Sequence, residues 1–138
     1  MAKNKHNAAV GSDVDRSDSR IKQTGEVFTP MSLVYDMIAD LPQEKLADKT
    51  STFMDNSCGC GNFLVGLYTV MTRDYGLSHD EAVTKLYGVD LMEDNVRETC
   101  KNLGVEFGHP HFVVANGLEY HYRFDGSPAV EEAGVLPL

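Results

Sequence analysis

The sequence contains no apolar run close to the roughly 20 residues that a membrane-spanning helix needs. Its N-terminus is polar and lacks the apolar stretch of a secretory signal. We therefore expect a cytoplasmic protein that does not contact a membrane. The 138 residues, 42% hydrophobic and 24% charged, have the ordinary composition of one globular domain.

Cysteine is scarce, with only Cys58, Cys60 and Cys100 in the whole chain. An odd number of cysteines without a secretory signal argues against a disulfide framework. One residue separates Cys58 from Cys60, whereas the cysteine pairs of structural zinc sites are usually about two to four residues apart. Scattered histidines such as His109 and His111 do not complete a ligand set. We expect reduced thiols and no metal site.

Basic side chains are also few, because 12 Lys and Arg stand against 21 Asp and Glu and give a net charge of -9. Residues 1–22 hold five basic and three acidic side chains, so most of the negative charge lies in the remainder. Proteins bind duplex DNA largely by neutralising its phosphates with Lys and Arg. An acidic body is poorly suited to that task, so we expect any contact with DNA to be made through a partner or a local basic patch.

The chain divides into three parts by composition. Residues 1–22 are polar with isolated apolar residues, and we expect a disordered, basic-leaning tail. Residues 23–125 carry the periodic apolar pattern of a folded domain. Residues 126–138 are weakly patterned, and we expect a weakly ordered C-terminal tail.

The apolar periodicity predicts an α/β domain in which helices and strands alternate. Pro30 begins the first helix with Thr29 as its N-cap, and Pro42 ends it. A polar connection at 43–50 follows. Strands are predicted at 52–55, 87–91 and 112–115, and further helices at 63–71, 78–86 and 94–103. This order implies a parallel sheet of about three strands with right-handed crossovers and flanking helices.

Two local details refine this prediction. Ser78 with Glu81 three residues later forms a capping box that opens the third helix. Met37, Met54 and Met71 are expected in the core.

The segment between the first strand and the second helix runs from Asp55 to Phe63 and contains two closely spaced glycines. Gly59 and Gly61 allow the backbone to turn tightly and to approach a ligand. The start of the following helix offers free N–H groups that suit an anionic group such as a carboxylate. Ligands of open α/β sheets bind at the carboxyl ends of the strands, where this turn lies. A tight connection that binds nothing is the alternative.

This segment resembles the glycine-rich motif of N6-adenine DNA methyltransferases, for which Asp-Pro-x-Cys-Gly-x-Gly-x-Phe is typical. Asn56 replaces the proline, and Cys60 replaces a common Ser or Thr. The resemblance implies a Rossmann-like class I fold with S-adenosylmethionine as cofactor. It also implies that Asp55, Gly59 and Gly61 hold the methionine part of the cofactor. The cofactor-binding residues expected from the same segment also include Ser57, Asn62 and Phe63.

Three further segments follow in the order of that family. Thr24 to Pro30 resembles its Gly-Gln-x-Phe/Tyr-Thr-Pro segment, which implies cofactor contacts from Phe28, Thr29 and Pro30. A carboxylate at the end of the second strand can accept both ribose hydroxyls, and the resemblance makes Asp90 the ribose ligand, with Leu91 or Met92 against the adenine. Asn116 stands where an Asp usually contacts the adenine amino group. The bland alternatives are a helix cap at Thr29, a solvated strand end at Asp90 and a simple Asn-Gly turn at Asn116.

The family's catalytic tetrapeptide, Asn/Asp-Pro-Pro-Phe/Tyr, is missing. In the family it holds the flipped adenine. The nearest phrase, Asp125-Gly126-Ser127-Pro128, lacks the second proline and the aromatic residue, so we expect no catalytic residue in this chain. A complete domain of this kind also has more strands than the three predicted here, and the first strand would be left as an apolar edge.

The resemblance therefore implies a truncated, phage-type methylase that binds S-adenosylmethionine and is inactive alone. It would act as a cofactor-binding module or as one half of a methyltransferase. Its expected partner is a second copy or another methyltransferase subunit, and its expected location is the host cytoplasm if it is phage-encoded. Two alternatives stay open: an anti-restriction protein that sequesters or degrades the cofactor, and a structural remnant that binds nothing.

Overall fold

The computed structural model describes residues 29–127. Within this range the chain forms a three-stranded, all-parallel sheet in the order β1-β2-β3 with helices between the strands. The predicted fold class is confirmed. The helices are α1 (Met31–Ala39), α2 (Gln43–Ala47), α3 (Asn62–Arg73), α4 (His79–Thr84) and α5 (Glu93–Leu103), and the strands are β1 (Phe53–Asp55), β2 (Leu86–Asp90) and β3 (Phe112–Val114).

The register of the sheet brings the ends of the strands to one edge. Asp55 of β1 lies beside Gly88 of β2, and Asp90 of β2 lies beside Val114 of β3. Because all three strands are parallel, the loops that leave their carboxyl ends meet at this edge. This is the edge at which open α/β sheets bind ligands.

The helices form the main core against one face of the sheet. Leu64, Leu67 and Met71 of α3 are fully buried there with Leu86 of β2. Burial of each such side chain stabilises the fold by about 1.5 to 3 kcal/mol. At Gly66 the helices α1 and α3 approach so closely that a Cβ atom would lie 2.6 Å from the side chain of Val34.

The opposite face of the sheet is covered by an aromatic segment that follows β3. Tyr120 is buried against Val89 and Ala115, and Phe124 packs on the same small cluster. The hydroxyl of Tyr120 accepts a hydrogen bond from the backbone N–H of Phe124 at 2.9 Å, which holds the segment in a tight loop. This face therefore has a second, smaller core.

The first helix differs from its prediction at both ends. Thr29 is not its N-cap: Pro30 occupies that position with extended backbone angles and makes no side-chain cap hydrogen bond. The carbonyl of Pro30 accepts the N–H of Val34 at 3.1 Å, which begins the helical hydrogen-bond pattern. It ends at Ala39, before Pro42.

The predicted polar connection at 43–50 is partly wrong because it contains the short helix α2. Leu46 anchors this helix and is completely buried. Lys85, which is 1% exposed, donates from Nζ to the carbonyls of Lys45 at 2.7 Å, Leu46 at 3.0 Å and Asp48. The ammonium thus satisfies carbonyls at the end of α2 that otherwise lack partners.

Two of the three methionines expected in the core are not there. Met37 and Met54 are each 47% exposed, whereas Met71 is fully buried. Met37 lies on the outer side of α1, and Met54 lies on β1. For β1, the described residues provide a partner strand on one side only.

Candidate functional site

The glycine turn between β1 and α3 is held in a tight, left-handed backbone path. Gly59 has a φ of +56° and Gly61 a φ of +92°. The N–H of Cys58 donates to the carbonyl of Val89 at 2.9 Å, which ties the turn to β2. The N–H of Gly61 returns to the carbonyl of Cys58 at 2.9 Å, and α3 begins directly afterwards.

Helix α5 packs against the outside of this turn. Thr99 donates from its hydroxyl to the carbonyl of Gly59 at 3.0 Å, and Asn102 donates from its side-chain amide to the carbonyl of Cys60 at 3.3 Å. A Cβ atom on Gly61 would lie 2.9 Å from the hydroxyl oxygen of Thr99. The absence of a side chain at Gly61 therefore lets the turn and the helix touch.

Asp90, at the end of β2, connects three parts of the site. It is 9% exposed. Its Oδ1 accepts the N–H of Gly59 at 3.0 Å. Its Oδ2 accepts the N–H of Met92 at 3.0 Å and the side-chain amide of Asn95 at 2.8 Å. The solvated strand end considered above does not apply, because this carboxylate is buried and joins the glycine turn to the start of α5.

Asp55, at the end of β1, is a half-buried carboxyl group in the same region. Its Oδ1 accepts the N–H of Ser57 at 3.1 Å, and the side chain of Ser57 is exposed. Burial raises the pKa of Asp55, and the charge of Asp90 raises it further, against the lowering effect of the Ser57 bond. Because burial and a neighbouring carboxylate both disfavour the ionised form of Asp55, a cation bound beside it would be favoured.

Asn116, just beyond β3, is exposed at the same edge of the sheet. Its side-chain oxygen accepts the N–H of Leu118 at 2.9 Å, and its amide donates to Glu119 at 3.0 Å. Asn116 therefore forms a turn, and its oxygen keeps one lone pair for a further donor. Gly117 lies so close to Asn56, the residue that follows β1, that a Cβ atom there would collide with the carbonyl oxygen of Asn56. The loops that leave β1 and β3 therefore touch, although β2 separates the two strands.

The remaining predicted site residues surround this edge in different ways. Asn62 is buried and donates from its side-chain amide to the carbonyl of Thr29 at 2.6 Å, which fixes the N-terminal segment to the glycine turn. Phe63 is half-buried and packs against the main core. Pro30 is exposed at the start of α1. Phe28 lies outside the described residues.

Leu91 is 61% exposed immediately after Asp90. An exposed leucine beside a buried carboxylate offers an apolar surface to one part of a ligand and a hydrogen-bond acceptor to another. Gly59 is open on the side where a Cβ atom would lie, because no atom of the described residues beyond its chain neighbours comes within 4 Å of that position. A ligand can therefore approach the backbone there.

The three thiols are buried, and none of them forms a disulfide. Burial raises the pKa of Cys58, with the charges of Asp90 and Asp55 adding to the effect, and burial raises the pKa of Cys100 to about 11. Within residues 29–127, no group of three or more His, Cys, Asp or Glu side chains is arranged to hold a metal ion. The thiols therefore act as small apolar side chains of the core.

Sequence reasoning missed the polar residues of α5 that support the site. Asn95, Thr99 and Asn102 are spaced along one side of the helix, and the first two are almost completely buried. Polar residues at positions where a helix usually carries its apolar stripe are the signal that would have found them.

Within residues 29–127, no helix is long and apolar enough to cross a membrane.

The residues at this edge fit S-adenosylmethionine, which carries a sulfonium, an ammonium, a carboxylate, a ribose and an adenine. Asp55 and Asp90 suit its positive groups and hydroxyls, and the start of α3 suits its carboxylate. Leu91 presents an exposed apolar side chain beside them.

Comparison with known proteins assigns the chain to a family. The family model of the N-6 DNA Methylase matches residues 16–108, a range that includes the glycine turn, β2 and α5. Neither the curated proteins nor the solved structures yield a match. Because the matched range covers well over half of the 138 residues, the chain belongs to the N-6 DNA methylase family.

Proposed function

We propose that this chain binds S-adenosylmethionine at the carboxyl edge of its sheet and does not transfer the methyl group by itself. The observation that supports this most is the bond from the N–H of Gly59 to Asp90 at 3.0 Å. It holds the glycine turn over the strand ends, beside Asp55. Family membership supports the choice of cofactor, because N6-adenine methylation takes its methyl group from S-adenosylmethionine.

Each residue has a distinct role in this proposal. The carboxylate of Asp55 faces the cofactor's ammonium group, and the backbone at Gly59 and Gly61 approaches its methionine part. Asp90 accepts from the ribose, and Leu91 packs on the adenine. Asn116 accepts from the adenine amino group with its remaining lone pair. The remaining residues of the site shape or support the turn: Thr29, Pro30, Ser57, Asn62 and Phe63.

The charge of the ligand is the main physical argument. The cofactor brings a sulfonium and an ammonium group to a site where burial and Asp90 already raise the pKa of Asp55. A cation there favours the ionised form of Asp55, so binding recovers part of the free energy that burial of this carboxylate costs.

Isothermal titration calorimetry with S-adenosylmethionine tests this proposal. We expect the wild-type chain to bind and Asp55→Asn to bind about 10 to 100 times more weakly, the range for losing a hydrogen bond to a charged group. Asp74→Asn is the matched control because Asp74 is exposed at the end of α3 and pairs with its neighbour Arg73. No heat at millimolar ligand would contradict the proposal.

Methyl transfer to DNA requires parts that we propose come from another polypeptide. The chain lacks the base-holding tetrapeptide, and residues 29–127 hold 15 acidic and seven basic side chains. DNA would therefore be held by the partner. A transfer assay on adenine-containing duplex DNA tests this, and methylation by the chain alone would contradict it. The same incubation, analysed for breakdown of the cofactor, distinguishes a binding module from a cofactor-degrading enzyme.

The edge of β1 that has no partner strand within residues 29–127 is the surface that we propose the other polypeptide covers. Residues 53 and 55 bond to β2, so the N–H and carbonyl of Met54 point away from the described sheet. A groove of about 350 Å³ lies beside this edge, lined by Met54, Tyr87, Tyr122 and Phe124 together with Thr52 and Arg123. None of these lining residues is acidic, so an acidic second copy or another subunit can approach.

Sedimentation velocity separates the two kinds of partner. If a second copy covers the edge, the chain is a dimer at micromolar concentration, and Met54→Lys makes it monomeric. Met37→Lys is the control because Met37 is equally exposed, at 47%, but lies on α1. A monomeric wild-type chain would contradict the second copy and leave the methyltransferase subunit as the proposed partner.

A further inference from the structure

The carboxylate of Asp90 has little capacity left for a ligand. An ionised carboxylate offers about four lone-pair positions, two on each oxygen. The N–H of Met92 and the amide of Asn95 occupy both positions on Oδ2. The N–H of Gly59 occupies one position on Oδ1. One position remains, and it lies on Oδ1.

None of the three donors leaves easily. Two of them are backbone N–H groups, one in the glycine turn and one at the start of α5. The third is the side chain of Asn95, which is 1% exposed and is held inside the first turns of α5. A buried donor that loses its acceptor costs about 1 to 3 kcal/mol. The cofactor's second hydroxyl would have to displace such a donor to reach Oδ2.

We propose that Asn95 is a positioning residue that limits Asp90 to one ribose hydroxyl. The cofactor's ribose then binds through a single hydroxyl at Oδ1, and Asn95 keeps the second hydroxyl off Oδ2. This inference rests on the proposed function. It departs from the expectation that Asp90 accepts both hydroxyls, because that arrangement needs one free position on each oxygen.

The consequence is an asymmetry between the two hydroxyls. Deleting the hydroxyl that bonds Oδ1 removes a hydrogen bond to a charged group and weakens binding about 10- to 100-fold. Deleting the other hydroxyl leaves Asp90 unaffected. That hydroxyl keeps its hydrogen bonds to water when the ligand binds, so we expect its deletion to weaken binding less than about threefold. A carboxylate that accepts both hydroxyls would make the two deletions similarly costly.

The probes are S-adenosylhomocysteine and its 2′-deoxy and 3′-deoxy forms, titrated calorimetrically into the wild-type chain, Asn95→Ala and Asn102→Ala. Asn95→Ala frees one position on Oδ2, so we expect the two deletions to become similar in cost. Asn102→Ala is the matched control because Asn102 also donates from α5 to the glycine turn, but to the carbonyl of Cys60. It should keep the wild-type asymmetry. General loosening of α5 would affect both variants alike and would not select one hydroxyl.

Two results overturn the inference while leaving the proposed function intact. One is equal cost for both deletions in the wild-type chain, and the other is an asymmetry that persists in Asn95→Ala. Failure of S-adenosylhomocysteine and S-adenosylmethionine to bind overturns the proposed function together with the inference. A ligand-free measurement adds an independent check: the side-chain amide protons of Asn95 should exchange slowly with solvent, and exchange at the rate of an exposed amide overturns the inference.

Discussion

The substitution Gly61→Ala tests the packing of the glycine turn on α5. Gly61 has a φ of +92°, a conformation that costs a residue with a Cβ atom about 1 to 2 kcal/mol. The new methyl carbon would lie 2.9 Å from the hydroxyl oxygen, 3.0 Å from the methyl carbon and 3.2 Å from the Cα atom of Thr99. The last contact is with backbone, so rotation of the Thr99 side chain cannot relieve it.

The collision adds to the backbone cost. Overpacking of a well-packed site costs about 1 to 3 kcal/mol. The two contributions together predict a loss of about 2 to 5 kcal/mol in the free energy of unfolding. In a domain of this size, about 1 kcal/mol lowers Tm by about 4 to 8 °C, so a fall of at least about 8 °C is expected.

Urea unfolding followed by circular dichroism measures this loss. Gly108→Ala is the control because Gly108 has a φ of +106° and a Cβ atom there would meet no described residue beyond its chain neighbours within 4 Å. The difference between the two variants isolates the collision with Thr99, and we expect about 1 to 3 kcal/mol. Equal stability of the two variants would refute the close packing of the turn on α5.

Three other predictions follow from the same structure. Asp55→Asn should stabilise the ligand-free chain at pH 7, because the pKa of Asp55 is raised and its favourable contribution to folding, present at low pH, is lost as the pH rises through that pKa. The gain in stability should vanish near pH 3, and a variant less stable than wild type at pH 7 would contradict this. In a urea titration, Lys85→Met should lower the free energy of unfolding by about 1 to 3 kcal/mol, because it leaves carbonyls at the end of α2 without a donor. The control Lys45→Met, at an exposed position, should have almost no effect. The thiols of Cys58 and Cys100 should resist a thiol-specific reagent at pH 8 until urea is added, because burial raises both pKa values. Rapid labelling of the folded chain would contradict this, because it would show that the thiols are accessible.

Local sequence features predicted the parts of the fold that depend on local chemistry. The capping box of Ser78 and Glu81 is present with both of its hydrogen bonds. Gly104 ends α5 in the left-handed conformation, as glycine after a helix usually does. The glycine turn stands between β1 and α3 as predicted. In these cases a few neighbouring residues determine the backbone path.

Features that depend on distant residues were predicted less well. Met54 is apolar in a strand, but its exposure depends on whether another strand lies beside β1, which the pattern of β1 alone does not reveal. The helix α2 exists because Leu46 is buried and because Lys85, far along the chain, satisfies its last carbonyls. Its sequence is short and polar, so periodicity gives almost no signal. The helix predicted at 78–86, which is α4 in the structure, ends at Thr84, and Leu86 begins β2.

The candidate site shows the same division. The positions of Asp55, Asp90 and Asn116 at one edge followed from the alternation of strands and helices. The hydrogen bonds that Asp90 makes with Gly59 and Asn95 depend on side-chain directions that no sequence pattern gives. The sequence therefore predicted that Asp90 accepts a hydrogen bond from the ribose. The number of lone-pair positions that its carboxylate has left for a ligand could be counted only in the structure.

The most direct test of the central claim is a nitrogen–proton NMR titration of the chain with S-adenosylmethionine. We expect the largest shifts in the backbone amides of Gly59, Leu91 and Gly117, which follow the three strand ends. Small shifts are expected for Gly76 and Gly108, which lie in turns outside the site. Unchanged spectra at millimolar ligand, or shifts confined to residues away from the three strand ends, would contradict the proposed cofactor site.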